Sequence, residues 1–271
     1  MAPRVRPMEE RVRFWLTVAA SLVPPTRNRS VFVLGYPRTG TNWFSRIMSH
    51  YFELPIYIPE HHRLPSFRPA VLHLHRFIAP RSRTIYVLRD GRDSVVSYYF
   101  KAINSMPADS RQIRRMQSYC PEPLRHDNLR ENLTGFIRFL FEGNRTSSVP
   151  YHLHVREAKR RNLHIVRYEE LIANGEAVVS SAVERLTGRP ANPERVRAAL
   201  EATSFERRSG RKRGEVDLHH RTIRKGIVGD WRSHFTPESA RLFDAYAGDV
   251  LVDFDYETDR GWMERLDAGT C

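Results

Sequence analysis

The chain has 271 residues, of which 41% are hydrophobic, so it can bury the core of one α/β domain. Its net charge is +13, and all but four of its 44 basic residues are arginines, which suit two-pronged recognition of phosphate or sulfate. The two cysteines, Cys120 and Cys271, provide neither a zinc-binding spacing nor a disulfide framework, which predicts a reducing, cytoplasmic location.

Residues 1–27 predict an N-terminal helical extension. Their apolar run, residues 14–23, ends at Pro24-Pro25 and is shorter than the roughly 20 residues that a membrane span needs. We therefore expect no transmembrane segment. A helix packed on the domain is favoured over a membrane-surface anchor.

Residues 31–46 combine a strand, a glycine loop and a helix. Residues 31–34 are a short apolar run typical of a buried parallel strand. Gly35 and Gly40 bound a tight loop, and apolar residues recur at helical spacing from Thr41 onward. This geometry gathers backbone N–H groups and a helix N-terminus around an anion.

The loop departs from the nucleotide-binding pattern G-x-x-x-x-G-K-[ST]. Thr41 stands where the lysine should be, and Asn42 replaces the hydroxyl that binds magnesium. The cation lies inside the loop instead, at Arg38. The loop therefore predicts a phosphate site without a metal, and a purely structural turn is the alternative.

The next segment, residues 52–70, is rich in proline, predicts irregular structure and contains Glu60, His61 and His62. Residues 70–76 alternate like a strand, with His73 and His75 on one face. These histidines could bind a metal, form a base with its partner or simply be exposed. No third ligand is evident nearby, so we expect no metal site.

Residues 84–89 predict a second buried strand, followed by a helix from about Asp93. Arg89 and Ser97 could face one anion at the carboxyl edge of the sheet. The alternative is a surface arginine in an ordinary strand-to-helix turn.

The remaining elements continue the alternation of strands and helices. We expect helices at 110–117, 134–143, 150–161, 176–187, 193–202 and from 237 to about 251, a third strand at 163–167, and a mobile basic loop at 207–224. This order predicts a single α/β domain over residues 1–271, with a P-loop-type central parallel sheet flanked by helices on both faces.

Five segments resemble motifs of the cytosolic-type sulfotransferases and follow the family's order. Residues 36–43, Y-P-R-T-G-T-N-W, resemble the Y-P-K-S-G-T-T-W loop. Residues 86–99 are similar to Y-V-x-R-N-x-K-D-x-x-V-S-Y-Y, and residues 224–236 resemble R-K-G-x-x-G-D-W-K-x-x-F-T. Residues 168–170 and 203–205 match the shorter Y-E-D and T-S-F elements.

The resemblance implies a binding site for 3′-phosphoadenosine 5′-phosphosulfate (PAPS), with the product 3′-phosphoadenosine 5′-phosphate (PAP) and no metal. In the family, the loop holds the 5′-phosphosulfate, the arginine and serine of the second motif hold the 3′-phosphate, and the short elements lie near the adenine. The residues implied here are Arg38, Thr39, Gly40, Thr41, Asn42, Trp43, Arg89, Ser97, Tyr168, Thr203, Phe205, Arg224, Lys225 and Gly226.

Sulfuryl transfer by in-line displacement needs a base and a cation at the leaving group. His75 aligns with the family's catalytic histidine in K-T-H-L-P, although His73 replaces the lysine. Arg38 takes the place of the loop lysine, and it can stabilise the leaving group but is a poor proton donor. Glu60 is the rival base, because sulfotransferases acting on sugar polymers use a glutamate in the loop after the first helix.

The resemblance implies a hydroxyl or amine acceptor on a small molecule or sugar, without choosing among them. The interval from Trp43 to His75 is short for the family, which implies trimmed acceptor loops. A P-loop small-molecule kinase and a basic nucleic-acid-binding protein using residues 207–224 are the alternatives. No nucleic-acid partner is expected, and the sequence leaves monomer and homodimer open.

Overall fold

The computed structural model describes residues 29–58, 68–143, 149–218 and 223–267. The predicted N-terminal extension at 1–27 and the candidate base Glu60 lie outside the described residues. Within the described ranges, no helix combines the length and the apolar character needed to cross a bilayer.

The described chain forms a sheet and a series of helices. The strands are β1 Val31–Gly35, β2 Ile56–Tyr57, β3 Val71–Leu74, β4 Thr84–Leu88 and β5 His164–Arg167. The α-helices are α1 Thr41–Phe52, α2 Gly91–Ser105, α3 Arg111–Gln117, α4 Leu129–Arg138, α5 Tyr151–Arg160, α6 Tyr168–Ala173, α7 Gly175–Thr187, α8 Pro193–Ala202, α9 Phe205–Ser209, α10 Pro237–Asp253 and α11 Trp262–Asp267. Two 3₁₀ turns, at Arg81–Arg83 and Asp230–Ser233, and a π-helical turn at Phe139–Gly143 join them.

The five strands form one parallel sheet in the order β2-β3-β1-β4-β5. The predicted α/β fold with a central parallel sheet is confirmed. Strand β1 is central, with Val33 paired to His73 of β3 on one side and to Ile85 of β4 on the other. Since parallel strands end at a common edge, the segments that follow β1 and β3 meet there.

Backbone contacts divide the chain into two compact units. Of the described residues, the first unit takes those up to Leu88 together with Ala158–Arg208, and it contains the whole sheet. The second unit takes Arg89–Glu157 and the residues from Ser209 onward, and it is helical. The expectation of a single domain over the entire chain stays a prediction.

The core of the first unit lies between the sheet and three helices. Every residue of β1 and β4 is buried, so both faces of these strands are covered, and near-continuous apolar runs replace strict alternation. The side chains that pack against the sheet on one face are Phe44, Ile47 and Met48 of α1, Val179 and Val183 of α7, and Val196 and Ala199 of α8.

The second unit packs around aromatic side chains. The ring centre of Tyr99 in α2 lies 5.2 Å from that of Phe136 in α4, edge to face, and Phe136 lies 6.1 Å from Phe139. Gly135 is required beside them, because a Cβ there would lie 2.0 Å from the carbonyl oxygen of Tyr119. The close approach of α4 to the chain at Tyr119 therefore depends on this glycine.

Several elements differ from expectation, among them helix α6, which was not predicted. The two-residue strand β2 lies in the segment predicted as irregular, and α4 starts at Leu129 rather than near 134. Helix α11 was not predicted, and α9 takes residues 207–209 from the predicted loop. The rest of that loop is partly paired, since Gly214 N–H donates to the Lys225 carbonyl at 2.9 Å. Its mobility stays a prediction.

Candidate functional site

Two glycines shape the turn after β1. A Cβ atom on Gly35 would lie 2.6 Å from the Val87 carbonyl oxygen, and one on Gly40 would lie 2.6 Å from Cδ2 of Tyr168. Gly40 also has a φ of 96°, in the left-handed region that glycine favours. Both glycines of the sequence motif are therefore required by close packing.

Arg38 lies between these glycines and has a left-handed backbone itself, with a φ of 78°. Thr39 closes the turn, since its backbone N–H and its hydroxyl both donate to the Tyr36 carbonyl, at 3.3 and 2.8 Å. A left-handed conformation is uncommon and costly in a residue other than glycine, and such strained residues are enriched at functional sites. The residue kept in this conformation is the one that supplies the loop's charge.

Helix α1 begins at Thr41 with Gly40 as its N-cap, so no side chain caps its first turn. The first N–H groups of a helix lack intrahelical acceptors and carry partial positive charge. An uncapped first turn that follows a glycine loop with an arginine is suited to binding a phosphate group.

His75 follows β3 at the edge where this loop lies. Its Nδ1 lies 2.7 Å from the Gly35 carbonyl oxygen, and the ring is half-buried. Because a carbonyl oxygen can only accept, Nδ1 carries the proton and the neutral ring has its lone pair on Nε2. This hydrogen bond gives His75 the tautomer that a general base needs.

His73 connects β3 to the first turn of α1. Its Nε2 lies 3.0 Å from the Thr41 hydroxyl oxygen, and its ring makes an edge contact of 4.8 Å with the ring of His75. His73 is buried, unlike an exposed strand histidine. The two histidines thus contact the two ends of the loop: His73 contacts the Thr41 hydroxyl, and His75 contacts the Gly35 carbonyl.

The aromatic candidates of the first unit lie beside the same loop. The ring of Trp43 contacts that of Tyr168 edge to face at 5.7 Å, and Tyr168 packs on Gly40. Phe205 is buried at the start of α9. The hydroxyl of Thr203 donates to the Ala199 carbonyl at 2.8 Å, so it caps the end of α8.

In the second unit, Arg89 follows β4 directly and is held by two acceptors. Its Nη2 donates to Asp93 Oδ2 at 3.3 Å and to the Ile227 carbonyl at 3.0 Å. Asp93 also accepts the backbone N–H groups of Gly229 and Trp231, at 2.9 and 3.0 Å. Burial raises the pKa of Asp93 above its ordinary value, and the charge of Arg89 opposes that shift.

Arg224 and Lys225 share a second carboxylate. Arg224 pairs with Asp230, and Lys225 Nζ lies 2.6 Å from Asp230 Oδ1. Burial alone would raise the pKa of Asp230, but His234, Lys225 and Arg224 together hold it well below its ordinary range. Of two further candidates in the second unit, Ser97 is half-buried on α2, and Gly226, next to Lys225, has a φ of 68°.

Arg92 fixes the turn that contains Asp230. Its guanidinium carbon lies 3.8 Å from the ring centre of Trp231 and 4.6 Å from that of Trp262. Asp90 and Glu257 neutralise it, with N···O distances of 2.8 and 2.6 Å. The indole of Trp231 is therefore held by a buried cation that the sequence did not single out.

Within each unit, the structure brings some of the predicted residues into contact. In the first unit, His75 contacts the glycine loop at Gly35, and Tyr168 contacts it at Gly40. In the second, Arg89, Arg224 and Lys225 are each held by an aspartate, Asp93 or Asp230. Sequence reasoning missed both aspartates, although Asp93 and Asp230 stand in two of the matched motifs. Among the described residues, no group of three histidine, cysteine or acidic side chains could hold a metal ion.

Comparison with known proteins places this chain in a family. The family model described as "Sulfotransferase domain" matches residues 51–255, about three quarters of the chain. The match includes His75, Arg89 and Arg224 and starts after the glycine loop.

Curated relatives and a solved structure agree with the family match. Human "Sulfotransferase 2A1" is 24% identical over 267 residues, which cover 85% of this chain and 87% of that protein. The "3-beta-hydroxysteroid sulfotransferase" of Cavia porcellus is 23% identical over 256 residues, covering 80% and 82%. The structure of "mouse sulfotransferase SULT7A1 complexed with PAP" aligns with a TM-score of 0.61 at 19% identity, covering 95% of each chain, and this likeness shows the fold.

Proposed function

Because the chain belongs to the sulfotransferase domain family, we propose that it transfers a sulfuryl group to a hydroxyl or amine of a small-molecule or sugar acceptor, with His75 as the general base. The enzyme uses PAPS as the donor and releases PAP. The observation that carries the choice of base is the hydrogen bond from His75 Nδ1 to the Gly35 carbonyl, which leaves a lone pair on Nε2 beside an anion-binding loop.

In the proposed reaction, His75 Nε2 takes the proton of the acceptor while the acceptor oxygen or nitrogen forms its bond to sulfur. The bond from sulfur to the bridging phosphate oxygen breaks, and the 5′-phosphate of PAP leaves with the additional negative charge. Arg38 and the first-turn N–H groups of α1 stabilise that charge electrostatically. Arg38 stays protonated throughout, so the loop supplies charge rather than a proton.

We assign the 5′ end of the donor to Arg38, Thr39, Gly40, Thr41 and Asn42, and the adenine to Trp43, Tyr168, Thr203 and Phe205. Considered by itself, the second-unit cluster has the charge to bind a phosphate monoester. We therefore assign the 3′-phosphate to Arg89, Ser97, Arg224, Lys225 and Gly226. The paired aspartates support this assignment, because they hold the cations in position before a ligand arrives.

Thermal unfolding with PAP tests the donor class directly. PAP at about 100 times its Kd should add about 2.7 kcal/mol to the free energy of unfolding. Incubation with PAPS and a panel of acceptors should then add the mass of SO₃ to at least one of them. A hydroxysteroid belongs in that panel because of the Cavia porcellus relative. Turnover of ATP with Mg²⁺, or salt-dependent nucleic-acid binding, without any response to PAP would contradict the proposal.

The choice of base is tested by three variants. His75→Asn keeps an N–H donor for the Gly35 carbonyl but has no basic nitrogen, and we expect it to lower kcat by roughly 10²–10⁴. His75→Ala should lose a similar factor, and both should retain PAP binding. Glu60→Ala should retain most of its turnover. The reverse pattern, with Glu60→Ala inactive and both His75 variants active, would identify Glu60 as the base.

The cytoplasmic location and the oligomeric state stay predictions. Size-exclusion chromatography with light scattering would distinguish the monomer from the homodimer.

A further inference from the structure

In the first unit, Asn42, which we assigned to the 5′ end of the donor, is contacted by two arginines to which the mechanism proposed above gives no role. The side-chain oxygen of Asn42 accepts hydrogen bonds from Arg46 Nε at 3.2 Å and from Arg208 Nη2 at 3.3 Å. Asn42 and Arg46 lie in the first turns of α1, and Arg208 lies in α9. We call these three residues the Asn42 cluster.

No acid among the described residues compensates the two guanidinium groups of the Asn42 cluster. Across the described parts of the chain, neither Arg46 nor Arg208 has a carboxylate within ion-pair distance. By contrast, the next residue in α9, Arg207, pairs with Glu201 at 3.1 Å. Two cations that converge on one neutral oxygen repel each other, and an anion between them would relieve that repulsion.

Arg208 is the less exposed of the two cations. Burial lowers its pKa, and the charge of Arg46 lowers it further. Each guanidinium has five N–H donors and, within the described residues, donates one of them to Asn42, so most of the donors are available to a ligand. The cluster thus offers many hydrogen-bond donors and a positive charge that no described acid offsets.

Tyr168 connects the Asn42 cluster to the glycine loop. Its ring packs on Gly40, and its phenol group partly offsets the lowered pKa of Arg208. The cluster therefore adjoins the loop rather than lying on a remote surface. A ligand held by the loop could reach both.

We propose that Asn42, Arg46 and Arg208 bind one oxyanion, a phosphate or sulfate group, in a subsite beside the glycine loop. If the oxyanion is a phosphate of the donor nucleotide, the inference rests on the function proposed above. If it is a free phosphate, the inference stands alone. The chemistry of the subsite is the same in both cases, and the source of the oxyanion is decided by experiment.

The test compares Arg208→Gln and Arg46→Gln with the matched control Arg207→Gln, which removes an exposed, paired arginine from the same helix as Arg208. Binding of PAP, 5′-AMP and inorganic phosphate is measured by calorimetry on the full chain. We expect each of the first two variants to weaken binding of at least one ligand about tenfold or more, since hydrogen bonds to charged groups are strong. The control should stay within about twofold, because exposed ion pairs contribute little.

The three ligands identify the source of the oxyanion. Equal losses for PAP and 5′-AMP assign the 5′-phosphate to the subsite, and a loss for PAP alone assigns the 3′-phosphate. A loss for inorganic phosphate alone assigns a free anion. Unchanged affinity for all three ligands in both variants overturns the proposal. Arg46 is exposed, so Arg46→Gln decides the result if Arg208→Gln does not fold.

Failure of this proposal is distinguishable from failure of the proposed function. If the wild-type chain bound neither PAP nor 5′-AMP, the donor assignment would be wrong, and the inorganic phosphate measurement would still decide the role of the cluster. If PAP binds and the variants match the wild type, only the subsite is wrong.

Discussion

The two cationic regions are built in different ways. Around the glycine loop of the first unit, neutral hydrogen bonds set the positions, as in Thr41 to His73 and His75 to the Gly35 carbonyl. In the second unit, buried carboxylates hold the cations, with Asp93 on Arg89 and Asp230 on Lys225. The first region therefore depends on backbone shape, and the second depends on charge pairing.

The difference has an energetic consequence. A neutral hydrogen bond contributes about 0.5–1.5 kcal/mol, whereas breaking a buried charge pair costs about 3–5 kcal/mol. Changes in the second region should therefore act strongly on stability, and changes around the loop should act mainly on catalysis. The following substitutions test that distinction, from the largest expected effect to the smallest.

Asp93→Ala should have the largest effect. It removes the partner of Arg89 and leaves the half-buried N–H group of Gly229 and the buried N–H group of Trp231 without their acceptor. We expect the free energy of unfolding, measured in urea, to fall by about 3–5 kcal/mol. Asp249→Ala is the control, because its pairs with Arg156 and Arg260 are exposed and should each contribute at most about 1 kcal/mol. Equal effects of the two substitutions would remove the distinction between the regions.

Arg89→Ala should act on ligand recognition. If this guanidinium binds the 3′-phosphate, its loss should weaken PAP binding by about 1.5–3 kcal/mol, which lowers the affinity roughly 10- to 150-fold. Binding of 5′-AMP, which has no 3′-phosphate, should hardly change. Calorimetry with both ligands measures the ratio of their affinities. If the affinities for PAP and 5′-AMP fell by the same factor, Arg89 would not bind the 3′-phosphate.

Asp230 should make the free energy of unfolding depend on pH in the acidic range. Its folded pKa lies below the unfolded value, so the folded state binds fewer protons, and stability is fully present above about pH 5 and falls as the pH is lowered towards 2. Asp230→Asn should lower stability at pH 7 by on the order of 2 kcal/mol and flatten this dependence. Urea unfolding at pH 7 and pH 3 measures both. An unchanged slope in the variant would mean that other carboxylates dominate acid unfolding.

Thr41→Val should have the smallest effect on folding. It keeps the shape of the side chain and removes the hydroxyl that contacts His73, which should cost about 0.5–1.5 kcal/mol of stability. Its effect on PAP binding should be larger than its effect on unfolding if the hydroxyl also meets the donor. Thr41→Ser, which restores the hydroxyl, is the control. A stability loss as large as that of Asp93→Ala would show that the hydrogen bonds around the loop stabilise the fold as strongly as the charge pairs of the second region.

Much of the fold could be predicted because buried strands and amphipathic helices leave clear patterns. Strands β1, β4 and β5 and helices α1, α7 and α8 appear in the sequence within a few residues of their observed bounds. Strand β2 has only two residues, too few for a periodic signal. The buried residues of α4 between Leu129 and Phe136 follow helical spacing, but the polar residues between them obscured its start.

The candidate site was predictable where short motifs contain it. The loop and His75 stand in contiguous motifs, and the observed hydrogen bond to Gly35 gives the histidine its tautomer. The roles of Asp93 and Arg208 could not be predicted in the same way. Asp93 acts on Gly229, 136 positions away, and Arg208 acts on Asn42, 166 positions away. Such pairings are set by the folded chain and have no local pattern.

If Arg38 stabilises the leaving group as proposed, its left-handed backbone sets stability against turnover at a single position. Glycine would adopt the same φ without the roughly 1–2 kcal/mol that a side chain costs there. A screen that rewards heat resistance alone should therefore favour Arg38→Gly, and the proteins it enriches should be sturdier and nearly inert. An engineering effort on this enzyme would need to select for product at every round, because melting temperature alone would lead away from the working loop.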